Sequence, residues 1–116
     1  MEAKEETLRE NLNLISMQVI LHAGNARDTI MKVFDLLAGD TVDFEQLHQL
    51  LHDARQEITI AHKNQTDMLQ REANGEYIPY SVLFGHAQDT LMTIQSELIM
   101  AEKLVPVFKS LKEEKS

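Results

Sequence analysis

The sequence contains no cysteine and no tryptophan, and only four glycines and two prolines among its 116 residues. Without cysteine there can be no disulfide, no thiolate metal ligand and no cysteine nucleophile, and this absence fits a reducing compartment. The N-terminal residues M-E-A-K-E-E are charged and lack the apolar core of a signal peptide. No apolar run approaches the roughly 20 residues that cross a bilayer. We therefore expect a cytoplasmic protein.

Positive charge is also scarce, with 11 basic against 19 acidic residues and a formal net charge of −8. Such a surface repels nucleic-acid phosphates and anionic lipids, so we expect no nucleic-acid partner. The length is that of one domain, residues 1–116. A monomer of this size buries only about two-thirds of the surface of its unfolded chain, which favours association with further copies.

Because glycine and proline are rare, the main breaks fall at A-G-D (38–40) and N-G-E-Y-I-P (74–79). In each of the three segments, apolar residues recur at steps of three and four, the pattern of one helix face. The stripes are Leu8, Leu12, Ile15, Val19, His22, Ala26, Ile30, Val33 and Leu37; Phe44, Leu47, Leu51, Ala54, Ile58, Ala61, Gln65 and Met68; and Phe84, Ala87, Leu91, Ile94, Leu98, Ala101, Val105 and Phe108. Short connections make consecutive helices antiparallel. The sequence thus predicts an all-α fold, a three-helix up-down-up antiparallel bundle.

Single residues mark the predicted helix ends. They are Gly39 as a C-terminal cap, Asp43 and Gln46 as a capping box, Gly75 as the end of the second helix, and Pro79 or Ser81 as the start of the third. Pro106 should bend the third helix or fray its last turn, because proline has no backbone N–H to donate. The charged ends, residues 1–6 and 112–116, are also expected to fray.

The third helix carries polar residues where an apolar helix would not need them, in S-V-L-F-G-H-A-Q-D-T-L-M (81–92). At 3.6 residues per turn, His86 and Asp89 fall opposite the apolar stripe, beside the apolar Val82 and Met100. A helix that is apolar around most of its circumference favours burial on two sides, and the bundle covers only one. We therefore expect His86 and Asp89 to line an interface between subunits.

The other histidines have simpler interpretations. His48 and His52 are four residues apart and could clip a metal ion, but no third ligand is evident, so a solvated pair is favoured. His22 lies in the first stripe, where a satisfied interior or interface histidine is the preferred interpretation. Even for His86, a lone helix histidine is most often an ordinary surface residue, and periodicity alone leaves its function open.

The residues around His86 resemble a known family. V-L-F-G-H-A-Q-D-T-L-M (82–92) is similar to the V-x-x-x-H-x-Q-D-H-L-M signature of the IIA component of the lactose/cellobiose class of the bacterial sugar phosphotransferase system. Further matches, in the family's order and spacing, are H-A-G-N-A-R (22–27), A-G-D (38–40) and A-H-K-N-Q-T (61–66). The resemblance runs from about Leu12 to Lys112, and so covers nearly the whole chain.

The resemblance implies a homotrimer in which His86 accepts a phosphoryl group from the phosphocarrier protein HPr. His86 would pass that group to a cysteine of the cognate IIB component, with the IIC membrane permease as an indirect partner. It also implies that Asp89 and its two symmetry mates surround one divalent cation per trimer on the three-fold axis. Three carboxylates without a cation would repel one another, and Mg²⁺ or a similar hard ion takes oxygen ligands readily. This metal would be structural.

Three further residues are possible neighbours of the site. Thr90 stands where the family signature has a second histidine and can replace it only in part. His62 is the remaining family-matched histidine that could approach a neighbour's active site, although bonding to nearby polar groups explains it equally well. Gln88 points elsewhere from a straight helix and is assigned to packing. The reaction needs few further catalytic groups, because phosphoryl transfer onto a neutral imidazole depends mostly on positioning and charge stabilisation.

Two other functions stay open at this point. A histidine phosphotransfer domain of two-component signalling is also helical with an exposed histidine, although its H-x-x-K-G-like continuation is replaced here by H-A-Q-D. A purely structural helical trimerisation module would carry no phosphoryl group. Within the family, lactose, cellobiose and N,N′-diacetylchitobiose systems share this module, and the extended N-terminus favours the cellobiose and chitobiose branch.

Overall fold

Three long helices make up the fold. The computed structural model describes residues 2–115, and the exposure of the side chains from residue 3 to residue 114. Within this part the chain forms α1 (Glu2–Leu37), α2 (Phe44–Ala73) and α3 (Val82–Lys115), and no strand. None of these helices, over the described residues, has the length and hydropathy needed to span a membrane. The predicted all-α, three-helix fold is confirmed.

Contacts between side chains fix the directions of the helices. On α1 and α3, Asn13 contacts Ser81 and Arg27 contacts Glu97, so these two helices run parallel. The α2 helix runs the opposite way, because residues near its end border the same groove as the start of α3. The result is the predicted up-down-up order in a bundle that measures 69 × 22 × 18 Å.

The core takes one stripe from each helix, and the predicted stripes are the buried ones with few exceptions. The residues that form this core cluster are Val19, Ala23, Ala26, Ile30, Val33, Leu37, Leu47, Leu51, Ala54, Ile58, Ala61, Ala87, Leu91, Ile94, Leu98, Ala101 and Val105. Ser16 is also buried, and its hydroxyl is satisfied by donating to the Leu12 carbonyl at 2.8 Å. Alanine at many contact positions lets the helices approach one another closely.

Phe108 is the clear exception among the predicted core residues, since it is 40% exposed. The contacts between α1 and α3 join residues 68 and 70 positions apart. This offset places Leu37, the last residue of α1, level with residues 105–107 of α3. Phe108 therefore lies beyond the last residue of α1, which cannot cover it.

Polar side chains cap the N-termini of α2 and α3. Oδ1 of Asp43 accepts hydrogen bonds from the N–H of Gln46 and of the preceding residue, at 3.2 and 3.1 Å, so the predicted N-cap is confirmed. Oγ of Ser81 accepts from the N–H of Phe84 at 3.1 Å in the same way. Ser81, and not Pro79, is therefore the start signal of α3. Both caps satisfy a donor that has no partner inside its helix.

The two connections end their helices differently. The N–H groups of Gly75 and Glu76 donate to the carbonyls of Glu72 and Arg71, each at 3.0 Å, and Gly75 has a φ of +94°. This is a Schellman ending, which favours glycine because the left-handed backbone leaves little room for a Cβ. Gly39 stands near the end of α1 as predicted, but no positive φ occurs there. Its N–H donates to a carbonyl of the last turn at 3.2 Å.

The ends of the chain continue as helix. Residues 2–6 and 112–115 are helical, so the fraying predicted for them is not found, and residues 1 and 116 lie outside the described part. At the N-terminal end, contacts of Glu5 with the α2–α3 loop hold the first turns. Pro106 does not end α3 either, although it offers no N–H to the carbonyl of Glu102.

A polar or charged side-chain pair crosses each interface between helices. His22 Nδ1 lies 2.6 Å from Glu57 Oε2 between α1 and α2, Arg27 reaches Glu97 at 3.0 and 3.4 Å between α1 and α3, and Arg55 reaches Glu102 between α2 and α3. These pairs lie at the flanks of the bundle and are partly exposed. Solvent screening leaves each pair worth about 1 kcal/mol or less, so their main effect is on register.

Two isoleucines of α2 provide a matched test of this packing. Ile58 is 1% exposed and Ile60 is 45% exposed. Ile58→Ala should lower the free energy of unfolding by about 2–5 kcal/mol, because it removes buried methyl groups and leaves a cavity. Ile60→Ala should cost less than about 1 kcal/mol. Denaturant unfolding followed by circular dichroism measures both, and equal losses would contradict the rotation of α2 described here.

Candidate functional site

Burial of the inner face of α3 decides where its polar residues point. Ala87 and Leu91 are fully buried in the bundle. His86 directly precedes Ala87, and Asp89 lies between Ala87 and Leu91 in the sequence. Both His86 and Asp89 are exposed. The structure thus places both residues on the outward face that the helical projection predicts for them.

Exposed apolar side chains occur on both α1 and α3. The offset of 68–70 positions between contacting residues puts His86 level with residues 16–18 of α1. The exposed apolar side chains include Leu14, Met17 and Leu21 on α1, and Val82, Met92, Ile99 and Met100 on α3. Exposed apolar groups on two neighbouring helices are typical of a surface that contacts another protein.

His86 has no bonding partner in its own chain. Among residues 3–114, no hydrogen bond or ion pair reaches its imidazole, whereas His22, His52 and His62 each contact another side chain. A free ring nitrogen is what nucleophilic attack on phosphorus requires. A protein group that orients the other ring nitrogen would therefore come from a different chain.

Asp89 is exposed on the same face, one helical turn after His86. Its backbone carbonyl accepts a hydrogen bond from the Thr93 hydroxyl at 2.8 Å. In the part of the chain that the structure describes, no three histidine or acidic side chains lie close enough to hold a metal ion. A metal bound by Asp89 would need ligands from other copies of the chain.

Gln88 and Thr90 lie on the two sides of this face and are both half-buried. Gln88 borders a groove at the end of α2, together with Phe84 and Gly85. This location agrees with the packing role expected for it. Thr90 forms no hydrogen bond with the described residues, so its hydroxyl remains available at the edge of the site.

His62 lies apart from His86 within one chain. It is exposed on α2, where its Nδ1 lies 3.3 Å from the Thr66 hydroxyl, and it borders a groove with Gln95. Gln95 is more than two helical turns, roughly 14 Å, beyond His86 along α3. The fold of a single chain therefore does not bring His62 to His86.

Two glycines inside helices have no explanation in the packing of this chain. At Gly24 in α1 and Gly85 in α3, an added Cβ would meet nothing within 4 Å. Glycine inside a helix costs about 1 kcal/mol relative to alanine. Both glycines are partly exposed, and Gly85 directly precedes His86. They would permit a second molecule to approach these helices closely.

The remaining histidines follow their simpler interpretations. His22 is half-buried and satisfied by Glu57, as predicted. His48 and His52 are exposed, and His52 bonds to Gln56 at 3.2 Å. Among the described residues no group of three metal ligands includes them, and their interpretation as a solvated pair stays a prediction.

A large groove of the molecule lies away from His86. Its volume is about 780 Å³, and it runs between the start of α2 and the end of α3, bordered by Phe44, Leu51, Arg55, Val105 and Lys109 among others. His86 is not among its lining residues. The histidine thus stands on an open surface, which suits exchange between proteins better than capture of a small molecule.

Comparison with known proteins identifies the family. A sequence profile described as "PTS system, Lactose/Cellobiose specific IIA subunit" matches residues 14–109, which include His86 and Asp89. The chain belongs to this family. It is therefore a component of the phosphotransferase system, with the general phosphotransferase role and the link to sugar transport that such components have.

Relatives of this IIA chain carry the names of several sugars. It is 33% identical over 108 residues to the lichenan-specific phosphotransferase enzyme IIA component of Bacillus subtilis, covering 93% of this chain and 96% of the relative. It is 41% identical over 85 residues to the lactose-specific EIIA component of Lactococcus lactis, covering 73% and 79%.

Solved structures show the same fold. PtcA from S. mutans matches with a TM-score of 0.81 and 33% identity, covering 86% of this chain and 96% of that one. The cellobiose-specific enzyme IIA from Bacillus anthracis matches with a TM-score of 0.77 and 32% identity, covering 86% and 90%.

Sequence reasoning missed the polar and charged pairs that join the helices to one another. Arg27 belongs to the H-A-G-N-A-R segment, but its partner Glu97 lies 70 residues away. The partner of His22, Glu57, is 35 residues away. No local sequence pattern connects residues that lie so far apart in the chain. Only their positions at the edges of the apolar stripes could have suggested these pairs.

Two histidines allow a matched test of the pairing of His22 with Glu57. His22→Ala removes the 2.6 Å contact and leaves a half-buried carboxylate without its partner. It should lower the free energy of unfolding by about 1 kcal/mol after allowance for solvent exposure. His48→Ala, at an exposed position, should change it by less than about 0.5 kcal/mol. Thermal unfolding measures both, and indistinguishable values would show that the contact does not stabilise the fold.

Proposed function

We propose that this IIA chain is a phosphocarrier in which His86 accepts a phosphoryl group from HPr and passes it to a cysteine of the cognate IIB component. The transfer would couple uptake of a β-linked disaccharide by the IIC permease to phosphorylation of that sugar. The observation that carries the proposal is the exposed imidazole of His86, which has no hydrogen-bond or ion-pair partner among residues 3–114 and lies within the matched region 14–109.

Each of the two steps is an in-line displacement at phosphorus. The lone pair of a neutral His86 ring nitrogen forms a P–N bond while the P–N bond to the donor histidine of HPr breaks. In the second step the IIB thiolate forms a P–S bond, and the bond to His86 breaks to restore the imidazole. Such reactions depend mainly on positioning and on neutralising the phosphoryl charge. The chain itself contributes an accessible nucleophile on a rigid helix.

A homotrimer is the assembly that this surface supports. The exposed apolar residues of α1 and α3 would be covered by neighbouring subunits, and the room beside Gly24 and Gly85 would admit their close approach. His86 would then lie at the rim of a subunit interface, where both partner proteins can reach it. A cytoplasmic location remains a prediction from the sequence.

Asp89 fits the axial position in such a trimer. It presents an exposed carboxylate, and three copies would supply oxygen ligands of the kind that Mg²⁺ prefers. When bound, the ion would neutralise three like charges and so hold the subunits together, without taking part in phosphoryl transfer. The described residues of one chain provide no complete set of ligands, so the site would exist only in the assembly.

The substrate class follows from the relatives and not from residues of this chain. The similar proteins are named for lichenan, lactose and cellobiose, which all contain β-linked sugars. We propose a disaccharide of the lactose, cellobiose or chitobiose type. Membership in the IIA family disfavours a histidine phosphotransfer domain, and a purely structural trimerisation module is tested by the experiment below.

Incubation with phosphorylated HPr should place one phosphoryl group per chain on His86. The product should be acid-labile and base-stable, as phosphohistidine is, and should be absent in His86→Ala while circular dichroism remains helical. His48→Ala serves as the control and should keep the full incorporation. Labelled phosphate and peptide mass spectrometry measure the outcome. Undiminished labelling of His86→Ala would move the site elsewhere, and no labelling of any histidine would favour the structural module.

Replacement of Asp89 tests the axial position separately. Asp89→Leu should remain trimeric in the presence of a chelator, because removing a cluster of like charges from an interface is neutral or stabilising. The unmodified chain should dissociate more readily when the divalent ion is removed. Sedimentation equilibrium with and without chelator measures both, with Asp53→Leu on α2 as a matched control that should behave like the unmodified chain. A monomeric but folded Asp89→Leu variant would contradict the axial position.

A further inference from the structure

The first turns of α1 contact the loop that leads into α3. Glu5, Arg9 and Asn13 are spaced four residues apart and therefore lie on one face of α1. In chain order they contact the side chain of Tyr77, the carbonyl of Tyr80 and the side chain of Ser81. We refer to Glu5, Arg9 and Asn13 as the N-terminal ladder.

Each contact of the ladder is polar. The Tyr77 hydroxyl donates to Glu5 Oε1 at 3.1 Å, and this hydrogen bond together with the charge of Glu5 raises the pKa of Tyr77. The Arg9 guanidinium donates to the Tyr80 carbonyl and lies 3.9 Å from the Glu5 carboxylate. The Ser81 hydroxyl donates to Asn13 Oδ1 at 3.1 Å. Residues of the loop are thereby joined to three successive turns of α1.

The last contact reaches the N-cap of α3. The Ser81 hydroxyl has one hydrogen, and giving it to Asn13 turns the oxygen lone pairs toward the N–H of Phe84, which donates at 3.1 Å. The Ser81 carbonyl accepts from the N–H of Gly85 at 3.1 Å. His86 is the next residue. Asn13 thus orients the group that fixes the turn directly before the proposed phosphoryl acceptor.

The N-terminal ladder lies outside the part of the chain that the family profile matches. The match begins at residue 14, and the ladder ends at Asn13. The profile therefore assigns no role to these residues. A role for them follows from their contacts in this chain.

We propose that the N-terminal ladder positions the first turn of α3, and through it His86, for phosphoryl transfer, an inference that rests on the function proposed above for His86. Without the ladder, the Ser81 cap loosens and the first turn of α3 samples open conformations. His86, in the next turn, then spends less time in the geometry that in-line attack requires. Arg9 and Asn13 are positioning residues, since neither touches the reacting atoms.

Asn13→Ala tests the proposal, with Asn11→Ala as its matched control, because Asn11 is exposed on the same helix and its side chain forms no hydrogen bond with the described residues. Loss of an oriented N-cap should speed hydrogen exchange at the Phe84 and Gly85 amides about five-fold. Exchange at Leu91 and Leu98 should not change. The kcat for phosphorylation by phosphorylated HPr should fall several-fold at unchanged KM. Asn13→Asp keeps the acceptor oxygen and should restore both values, while Asn11→Ala should alter neither.

The outcomes separate this inference from the proposed function. Unchanged exchange at Phe84 and Gly85 in Asn13→Ala would show that the ladder does not hold the cap. Faster exchange with unchanged kcat would reduce the ladder to a stabilising contact and overturn its positioning role. If the unmodified chain accepted no phosphoryl group at His86, the proposed function would fail and the positioning role with it, although the exchange rates would still report whether the ladder fixes α3.

Discussion

Burial of the inner face of α3 is the constraint on which the rest of the site depends. Leu91, Ile94 and Leu98 are within about one per cent of complete burial, and together they remove several hundred square ångströms of apolar surface from water, worth several kcal/mol. A rotation of α3 by one residue would expose part of this surface. The same rotation would turn His86 into the bundle, so hydrophobic burial on one side keeps the histidine accessible on the other.

The rotation of a helix about its own axis does not fix its position along the bundle. That position depends on the polar pairs at the flanks of the helices. A stripe that repeats every three or four residues packs almost equally well after a shift by one turn. The pairs of Arg27 with Glu97 and of Asn13 with Ser81 allow only one alignment of α1 and α3. They contribute little energy at the surface, but they decide that His86 lies level with residues 16–18 of α1.

The proposed chemistry explains why this site is so open. A phosphocarrier must present one group to two different proteins in turn, so enclosure of His86 in a pocket would defeat its role. Catalytic groups can be supplied by the partners and by neighbouring subunits, and the chain need only hold its imidazole on a rigid, correctly placed helix. Three features agree with this role. They are the exposed apolar side chains of α1 and α3, the space beside the two helical glycines, and the contacts of the N-terminal ladder with the start of α3.

The sequence by itself determined the features whose physical cause is local. Helical periodicity identified the buried stripes, the polar caps Asp43 and Ser81 and the glycine at 75 marked the ends, and the motif around His86 indicated the family, because each signal lies within a few turns. The tertiary structure decided which side chains meet across the helices. It paired His22 with Glu57, joined Glu5, Arg9 and Asn13 to the α2–α3 loop, and left Phe108 uncovered beyond the end of α1. Such contacts join residues 35 to 72 positions apart, and they form only after packing of the apolar stripes has fixed how the helices align.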